Sequence, residues 1–187
     1  MLSFQPLHTF TIFERKLKNK MIKELKYLVI HTTASPQNWS LQTLNNFFRN
    51  LFNVRKENRG YHVVIEPDGK VTRRIPHLSP SSYAVETFVG DDIRINNSNS
   101  EHIAFIGGID KNGKGVDNRT PAQVKAMSEI VLWYVRQYPN IIVLGHNQVA
   151  NKFCPCFSVP RYLGTLGISE KNIYKTDNFN VLKWNKL

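Results

Sequence analysis

The sequence predicts an α/β fold in which a mixed central β-sheet is flanked by helices. Three observations lead to this prediction: short apolar segments of strand length, two longer segments with helical periodicity, and the alternation of the two kinds along the chain. The 187 residues, 41% of them hydrophobic and 11% aromatic, suffice for one folded domain. Apolar runs stay far below the length of a membrane span, so the sequence predicts none.

The first half of the chain contains a strand, a helix and a hairpin. The segment KYLVIHTTA (26–34) predicts a short buried strand that ends in polar residues. Ser40 can cap a helix whose apolar positions follow the helical period, namely Leu41, Leu44, Phe47, Phe48, Leu51 and Phe52. GYHVVIE (60–66), the turn PDG and KVTRRI (70–75) predict a two-stranded hairpin. The Ser/Asn-rich stretch 76–100 predicts a long surface loop.

The second half predicts two strands around a second helix. The apolar run in HIAFIGGID (102–110) predicts a buried strand that ends at a glycine pair. TPAQ (120–123) has the cap, the first-turn proline and the capping-box partner of a helix start. This helix should run to about Tyr138, and IIVLGH (141–146) should form the last strand.

The chain is predicted to have three parts: a basic N-terminal extension (1–25), one domain (26–165) and a C-terminal tail (166–187). Residues 1–26 carry six Lys or Arg and two Glu, and Met21 opens a segment that would itself make a natural protein start. The first apolar letters are interrupted by polar ones, and the basic cluster follows them, unlike a signal peptide. Synthesis in the cytoplasm is therefore expected.

The formal net charge of +11 indicates either of two properties. A basic protein of this size suits a polyanionic partner such as nucleic acid, anionic lipid or an acidic bacterial wall. The alternative is a solvated surface that keeps the protein soluble. Charge alone does not choose between them.

The two cysteines of the chain, Cys154 and Cys156, lie too close together for an unstrained disulfide. They are either small buried hydrophobes or a functional feature. His146 directly follows one predicted strand, and His31 lies at the C-terminal end of another. Two imidazoles and one thiolate make a three-ligand zinc set, with a fourth position open to water in a catalytic site. The spacing H-x7-C is too common to decide by itself.

Four segments in order carry a resemblance to a known family: YLVIHTTAS, GYHVVIEPDGKV, NSEHIAFIGGID followed by TPAQ, and VLGHNQVANKFCPCFSV. The chain resembles the zinc-dependent N-acetylmuramoyl-L-alanine amidases of the peptidoglycan recognition protein superfamily. It is most similar to the small phage lysozymes of amidase type. The resemblance covers roughly residues 26–163, and implies the amidase-like single-domain fold.

The resemblance implies that His31, His146 and Cys154 bind Zn²⁺, and that Cys156 is not a ligand. It also implies a reaction, namely hydrolysis of the amide bond between N-acetylmuramic acid and the L-alanine of the peptidoglycan stem peptide. Zinc chemistry suits this reaction, because the metal activates a water molecule near neutral pH.

Two further residues match the family pattern as catalytic groups, Tyr61 in GYH and Lys152 in NKFC. Lys152 could stabilise the developing oxyanion, and the Tyr61 hydroxyl could orient the attacking water or share in proton transfer. The structural alternatives are an aromatic residue of the core for Tyr61 and an ordinary loop lysine for Lys152.

The sequence also departs from the pattern of these relatives. Tyr83 stands where phage relatives carry a substrate-lining histidine, and Glu101 and His102 replace the usual Ile-Gly. The loop 76–100 is longer than expected. These changes put the contacts with the wall polymer in doubt and leave the predicted metal ligands in place.

The other histidines have less specific interpretations. His62 should point to the sheet face opposite Tyr61, because strand side chains alternate, and is interpreted as structural. His8, His77 and His102 have no partner pattern. We expect them on the surface or behind the metal ligands.

The leading functional hypothesis is an endolysin-type amidase that degrades the bacterial cell wall. Its partner would be peptidoglycan, with anionic wall polymers as a further candidate. It would be made in the host cytoplasm and would need a pore or host lysis to reach the wall. The alternative is a non-catalytic module that binds peptidoglycan, nucleic acid or a protein. Cys154 and Lys152 favour the enzyme, and a nucleic-acid partner is not expected.

Overall fold

The computed structural model of the protein describes residues 21–52, 60–81, 88–89 and 94–177. These residues contain seven strands. They are β1 (Tyr27–Thr32), β2 (Val63–Ile65), β3 (Val71–Arg73), β4 (Phe88–Val89), β5 (Arg94–Ile95), β6 (Ser100–Phe105) and β7 (Ile142–Gly145). Five strands form one sheet in the order β3-β2-β6-β1-β7. β3 pairs antiparallel with β2, and the other three pairs of neighbouring strands are parallel. The predicted mixed sheet is confirmed.

Three helices accompany the sheet: α1 (Leu41–Phe52), α2 (Pro121–Gln137) and α3 (Val159–Thr165). The two predicted helices begin at their predicted caps. The Thr43 amide donates to Ser40 Oγ at 3.1 Å, and Thr120 and Gln123 exchange the two hydrogen bonds of a capping box. The short α3 was not expected from the sequence. None of the helices in the described residues is long and apolar enough to cross a membrane.

Helices cover both faces of the sheet. On one face α2 and α3 bury the main core, whose sheet residues include Leu28, Ile30, Ile103, Phe105 and Val143. On the other face α1 contributes Leu44, which packs with Val64 and Ile106. Because both faces are covered, the parallel strands are nearly continuous apolar runs. The predicted arrangement of a sheet flanked by helices is therefore confirmed.

Some residues that precede or follow the predicted domain (26–165) along the chain are also packed. Ile22 and Leu25 are buried in the main core, as is Ile168. The Asn172 side chain donates to the Ile141 carbonyl at 2.8 Å. The predicted boundaries stay a prediction, and most of the N-terminal extension lies outside the described residues.

The stretch 76–100, predicted as a loop, contains the antiparallel pair β4 and β5. Ile95 of β5 is wholly buried and packs against the sheet residues Val29 and Leu144. Residues 82–87 and 90–93 lie outside the described part, and with them Tyr83. β6 begins two residues earlier than predicted and ends at Phe105.

Glu101 of β6 is wholly buried and lies at the centre of a polar cluster under α2. Its carboxylate accepts hydrogen bonds from Arg73 at 3.1 Å and from the Leu78 amide at 2.6 Å, and also from the Tyr134 hydroxyl. His77 Nδ1 lies 2.7 Å from the same carboxylate. This cluster joins β6, β3 and α2, and it turns Glu101 away from the sheet face that carries His31.

Burial raises the pKa of the Glu101 carboxyl, but the neighbouring groups lower this pKa by a larger amount. Nearby His62, the Tyr134 hydroxyl and the Leu78 amide favour the charged form, and the net pKa lies below the ordinary value of 4.5. A carboxylate with a lowered pKa stabilises the fold above its unfolded-state pKa. That stabilisation is lost as the pH falls through the folded-state pKa.

Replacing Glu101 with Gln should therefore lower the free energy of unfolding by about 2–3 kcal/mol near neutral pH, because Arg73 loses its charged partner. In urea unfolding, the difference from the wild type should shrink as the pH falls from about 7 to about 3. Glu129→Gln is the matched control, because it removes an exposed pair with Lys125. Its effect should stay below about 1 kcal/mol. A Glu101→Gln difference that does not change with pH would contradict the assignment.

Candidate metal centre

Three side chains converge at the C-terminal edge of the sheet: His31, His146 and Cys154. The candidate ligand atoms, one from each, lie within 4.8 Å of one another, and they form the one such group found in the described residues. His31 lies near the end of β1, and His146 is the first residue after β7. Ile30 pairs with Gly145, and a histidine directly follows each of these two residues in the chain. The structure thus brings together the three residues that the sequence predicts as ligands.

The loop after β7 places Cys154 beside the two histidines. A single turn of 3₁₀ helix, His146–Gln148, follows the strand, and the Asn147 amide donates to the Cys154 carbonyl at 2.6 Å. The Thr32 amide then donates to Cys154 Sγ at 3.2 Å, and Sγ lies 3.6 Å from His31 Nδ1. The backbone of β1 therefore both supplies one candidate ligand and orients another.

Burial controls the protonation of the three groups. It raises the pKa of the Cys154 thiol to about 12, although the Thr32 amide and Lys152 lower it in part. Burial, followed by the charge of Lys152, lowers the pKa of His146 to about 4, and burial also holds the pKa of His31 well below its ordinary value. The imidazoles are therefore neutral, with lone pairs available to a cation.

This donor set fits a metal ion. Two neutral imidazole nitrogens and one sulfur suit a borderline-soft divalent cation, which would displace the thiol proton and bind the thiolate. The cation would also compensate the cost of a buried anionic sulfur. The three residues can thus hold a metal, and no fourth His, Cys, Asp or Glu joins them within the described part of the chain.

The two predicted catalytic residues lie close to this cluster. The Tyr61 ring centroid is 5.2 Å from that of His31, and its hydroxyl donates to the Thr32 carbonyl at 3.3 Å. Lys152 is exposed, and its charge contributes to the lowered pKa of His146. Their catalytic roles stay predictions.

Sequence reasoning did not identify a direct partner for His31. His102 is wholly buried, and its Nδ1 lies 3.1 Å from Nε2 of His31. His62 lies behind His102, and its Nδ1 accepts a hydrogen bond from the His102 amide at 3.1 Å. Because β2 begins only at Val63, the alternation expected to separate His62 from Tyr61 does not apply at these residues. The two histidines carry no motif, and only the pairing of the strands reveals their contact.

Among the other residues singled out in the sequence, the structure describes Cys156 and His77. Cys156 is buried, and its thiol donates to the Gly108 carbonyl at 3.3 Å. That Cys156 is not a ligand stays a prediction. Both cysteines are free thiols. His77 is half-buried beside Glu101 on the other side of the sheet. His8 lies outside the described residues.

A model of the N-acetylmuramoyl-L-alanine amidase family matches residues 21–157. The chain belongs to this amidase family. It is 32% identical over 103 residues to the endolysins of Escherichia phage T7 and Klebsiella phage KP32. The matched residues make up 55% of this chain and 62% of each relative. The chain thus spans less than two thirds of the length of these relatives.

Solved structures of two kinds share the fold. The Ph2119 endolysin of a Thermus scotoductus bacteriophage is 22% identical, with a TM-score of 0.56 over 81% of this chain and 87% of its own. The amidase LysC of Clostridium intestinale is 19% identical, with a TM-score of 0.57 and coverages of 78% and 87%. The Apis mellifera recognition protein PGRP-SA is 19% identical, with a TM-score of 0.57 and coverages of 83% and 88%. The family and fold predicted from the sequence are confirmed.

Serine substitutions at the two cysteines should separate the ligand from its neighbour. We expect the wild-type protein to bind one Zn²⁺, and Cys154→Ser to bind it at least about 100-fold more weakly, because the thiolate is lost. Cys156→Ser should change the affinity by less than about threefold, because its sulfur faces Gly108.

Competition with a chromophoric chelator measures these affinities, and circular dichroism of the metal-free proteins checks their folding. Equal losses in the two variants, with both folded, would contradict the assignment of Cys154 as a ligand.

Proposed function

We propose that the protein is a zinc-dependent N-acetylmuramoyl-L-alanine amidase of endolysin type. It would hydrolyse the amide bond between N-acetylmuramic acid and the L-alanine of the peptidoglycan stem peptide. The observation that carries this proposal is the convergence of His31, His146 and Cys154 in a chain of the amidase family. The endolysin names of its relatives from phages support it.

Zinc is the metal that the donor set favours. Calcium and magnesium prefer oxygen ligands, whereas zinc takes nitrogen and sulfur in tetrahedral sites. A zinc ion bound by three protein ligands would keep one position for water and supply a nucleophile for amide hydrolysis near neutral pH. The Thr32 amide, which donates to Cys154 Sγ, would stabilise the thiolate form of this ligand.

Lys152 and Tyr61 would assist the reaction from the chain itself. The exposed ammonium of Lys152, two residues before Cys154, can approach the carbonyl oxygen of a bound substrate and stabilise its developing negative charge. The Tyr61 ring lies beside that of His31, and its hydroxyl donates to the Thr32 carbonyl. From there the hydroxyl would orient the attacking water or share in proton transfer.

The net charge of +11 suits a polyanionic surface. Anionic wall polymers would draw the protein to its peptidoglycan substrate and raise the rate of encounter. The proposed place of action is the bacterial cell wall, after synthesis in the host cytoplasm. This proposal accounts for the charge without a nucleic-acid partner.

Digestion of purified peptidoglycan tests the proposed activity. The zinc-loaded protein should release stem peptides with new alanine amino termini, identified by mass spectrometry. Cys154→Ser should release none above background, and Cys156→Ser should match the wild type. Wall binding without cleavage, with zinc bound and several wall chemotypes tried, would instead identify a non-catalytic recognition module.

Removing the charge of Lys152 should separate catalysis from metal binding. We expect Lys152→Gln to lower kcat by about 100- to 1,000-fold, because the oxyanion loses a cation. Its zinc affinity should stay equal or rise slightly, because a positive charge near the bound cation is removed.

Lys171→Gln, an exposed substitution in a different segment, serves as the matched control and should leave both quantities unchanged. A parallel loss of zinc and activity in Lys152→Gln would assign this residue to the metal site and not to catalysis.

A further inference from the structure

We propose that His102 is a positioning residue of the metal centre, which fixes the tautomer and ring orientation of His31. It would do so through a buried hydrogen-bond chain that runs from the Asn96 carbonyl through Ser100 and His102 to His31. The proposal rests on the proposed metal site. It concerns a residue that no part of the proposed hydrolysis uses.

The direction of the first hydrogen bond follows from the chemistry of its two ends. Ser100 Oγ lies 2.5 Å from the Asn96 carbonyl oxygen, and a carbonyl can only accept. The single hydroxyl hydrogen of Ser100 is therefore donated to Asn96. Ser100 is wholly buried, and its Oγ is left as an acceptor for a second partner among the described residues.

That partner is His102, whose Nε2 lies 3.2 Å from Ser100 Oγ. Because the serine oxygen has no further hydrogen to give, Nε2 of His102 carries the proton and donates. A neutral imidazole with a proton on Nε2 has a bare Nδ1. The buried hydroxyl of Ser100 thereby sets the tautomer of His102.

The bare Nδ1 of His102 lies 3.1 Å from Nε2 of His31. This contact requires Nε2 of His31 to donate, so the lone pair of neutral His31 is on Nδ1. The same Nδ1 lies 3.6 Å from Cys154 Sγ, on the side where the three candidate ligands converge. His31 is thus held in the form that a metal ion needs.

The sheet holds His102 in this position. In the parallel pairing of β6 with β1, His31 lies beside Ala104, whose small side chain leaves room for His102 to reach across diagonally. On its other side the His102 ring stacks on His62, with centroids 5.5 Å apart. His62 Nε2 in turn lies 2.8 Å from the Ser79 carbonyl, to which it donates.

Removal of the acceptor on His102 would leave the Nε2–H of His31 without a partner. The His31 ring could then change tautomer and place a proton on Nδ1, where the metal would bind. Asparagine and leucine have the same shape. Asparagine offers a carbonyl oxygen near the place of the histidine Nδ1, whereas leucine offers none. His102→Asn and His102→Leu therefore differ mainly in the hydrogen bond to His31.

Zinc affinity, measured by chelator competition, tests the proposal. We expect His102→Leu to bind Zn²⁺ about 10- to 100-fold more weakly than the wild type, and His102→Asn to remain within about threefold. The visible spectrum of the Co²⁺-loaded proteins should shift in His102→Leu and not in His102→Asn. Equal losses in both variants, or no loss in His102→Leu, would overturn the proposal.

A second measurement uses the wild-type protein and does not depend on how the variants fold. Nitrogen-resolved NMR of the imidazole rings in the metal-free protein should show the Nε2–H tautomer for both His31 and His102. The Nδ1–H tautomer of His31 would overturn the proposal. A wild type that binds no Zn²⁺ would instead overturn the proposed metal site, and the tautomers would still decide the hydrogen-bond chain.

Discussion

The parallel pairing of β1 with both β6 and β7 is the constraint on which the rest of the structure depends. It brings Ile30 beside Gly145 and His31 beside Ala104, so that His31 and His146 become neighbours. A shift of one residue would turn His31 to the face covered by α2 and α3. Such a shift is unfavourable because it would place the polar His31 imidazole in the apolar core that contains Leu28 and Ile30.

The same strand alternation lets β6 carry two adjacent polar residues without leaving either unsatisfied. Glu101 faces α2, where Arg73, the Leu78 amide and the Tyr134 hydroxyl surround it. His102 faces the candidate metal site, where Ser100 and His31 contact its two ring nitrogens. Burial of the Glu101 or His102 side chain without hydrogen-bond partners would cost free energy. Together they tie one strand to a helix on one face and to the candidate ligands on the other.

The fold by itself does not decide between cutting and recognition. Solved structures with this fold include both amidases and a protein named for peptidoglycan recognition. The distinction lies in the chemistry of the site. The proposed hydrolysis rests on two neutral imidazoles, a thiol that a cation would deprotonate and an exposed lysine.

Local patterns in the sequence determined the elements, because periodicity, caps and turn residues act over a few neighbouring positions. Ser40 and the capping box at Thr120 began the helices where predicted, and motif order pointed to His31, His146 and Cys154. Only the tertiary structure decided what Glu101 and His102 contact, and that β4 and β5 form within the expected loop. Those contacts depend on strand register and on which sheet face a helix covers. Both result from packing between segments far apart in the chain, which no local pattern records.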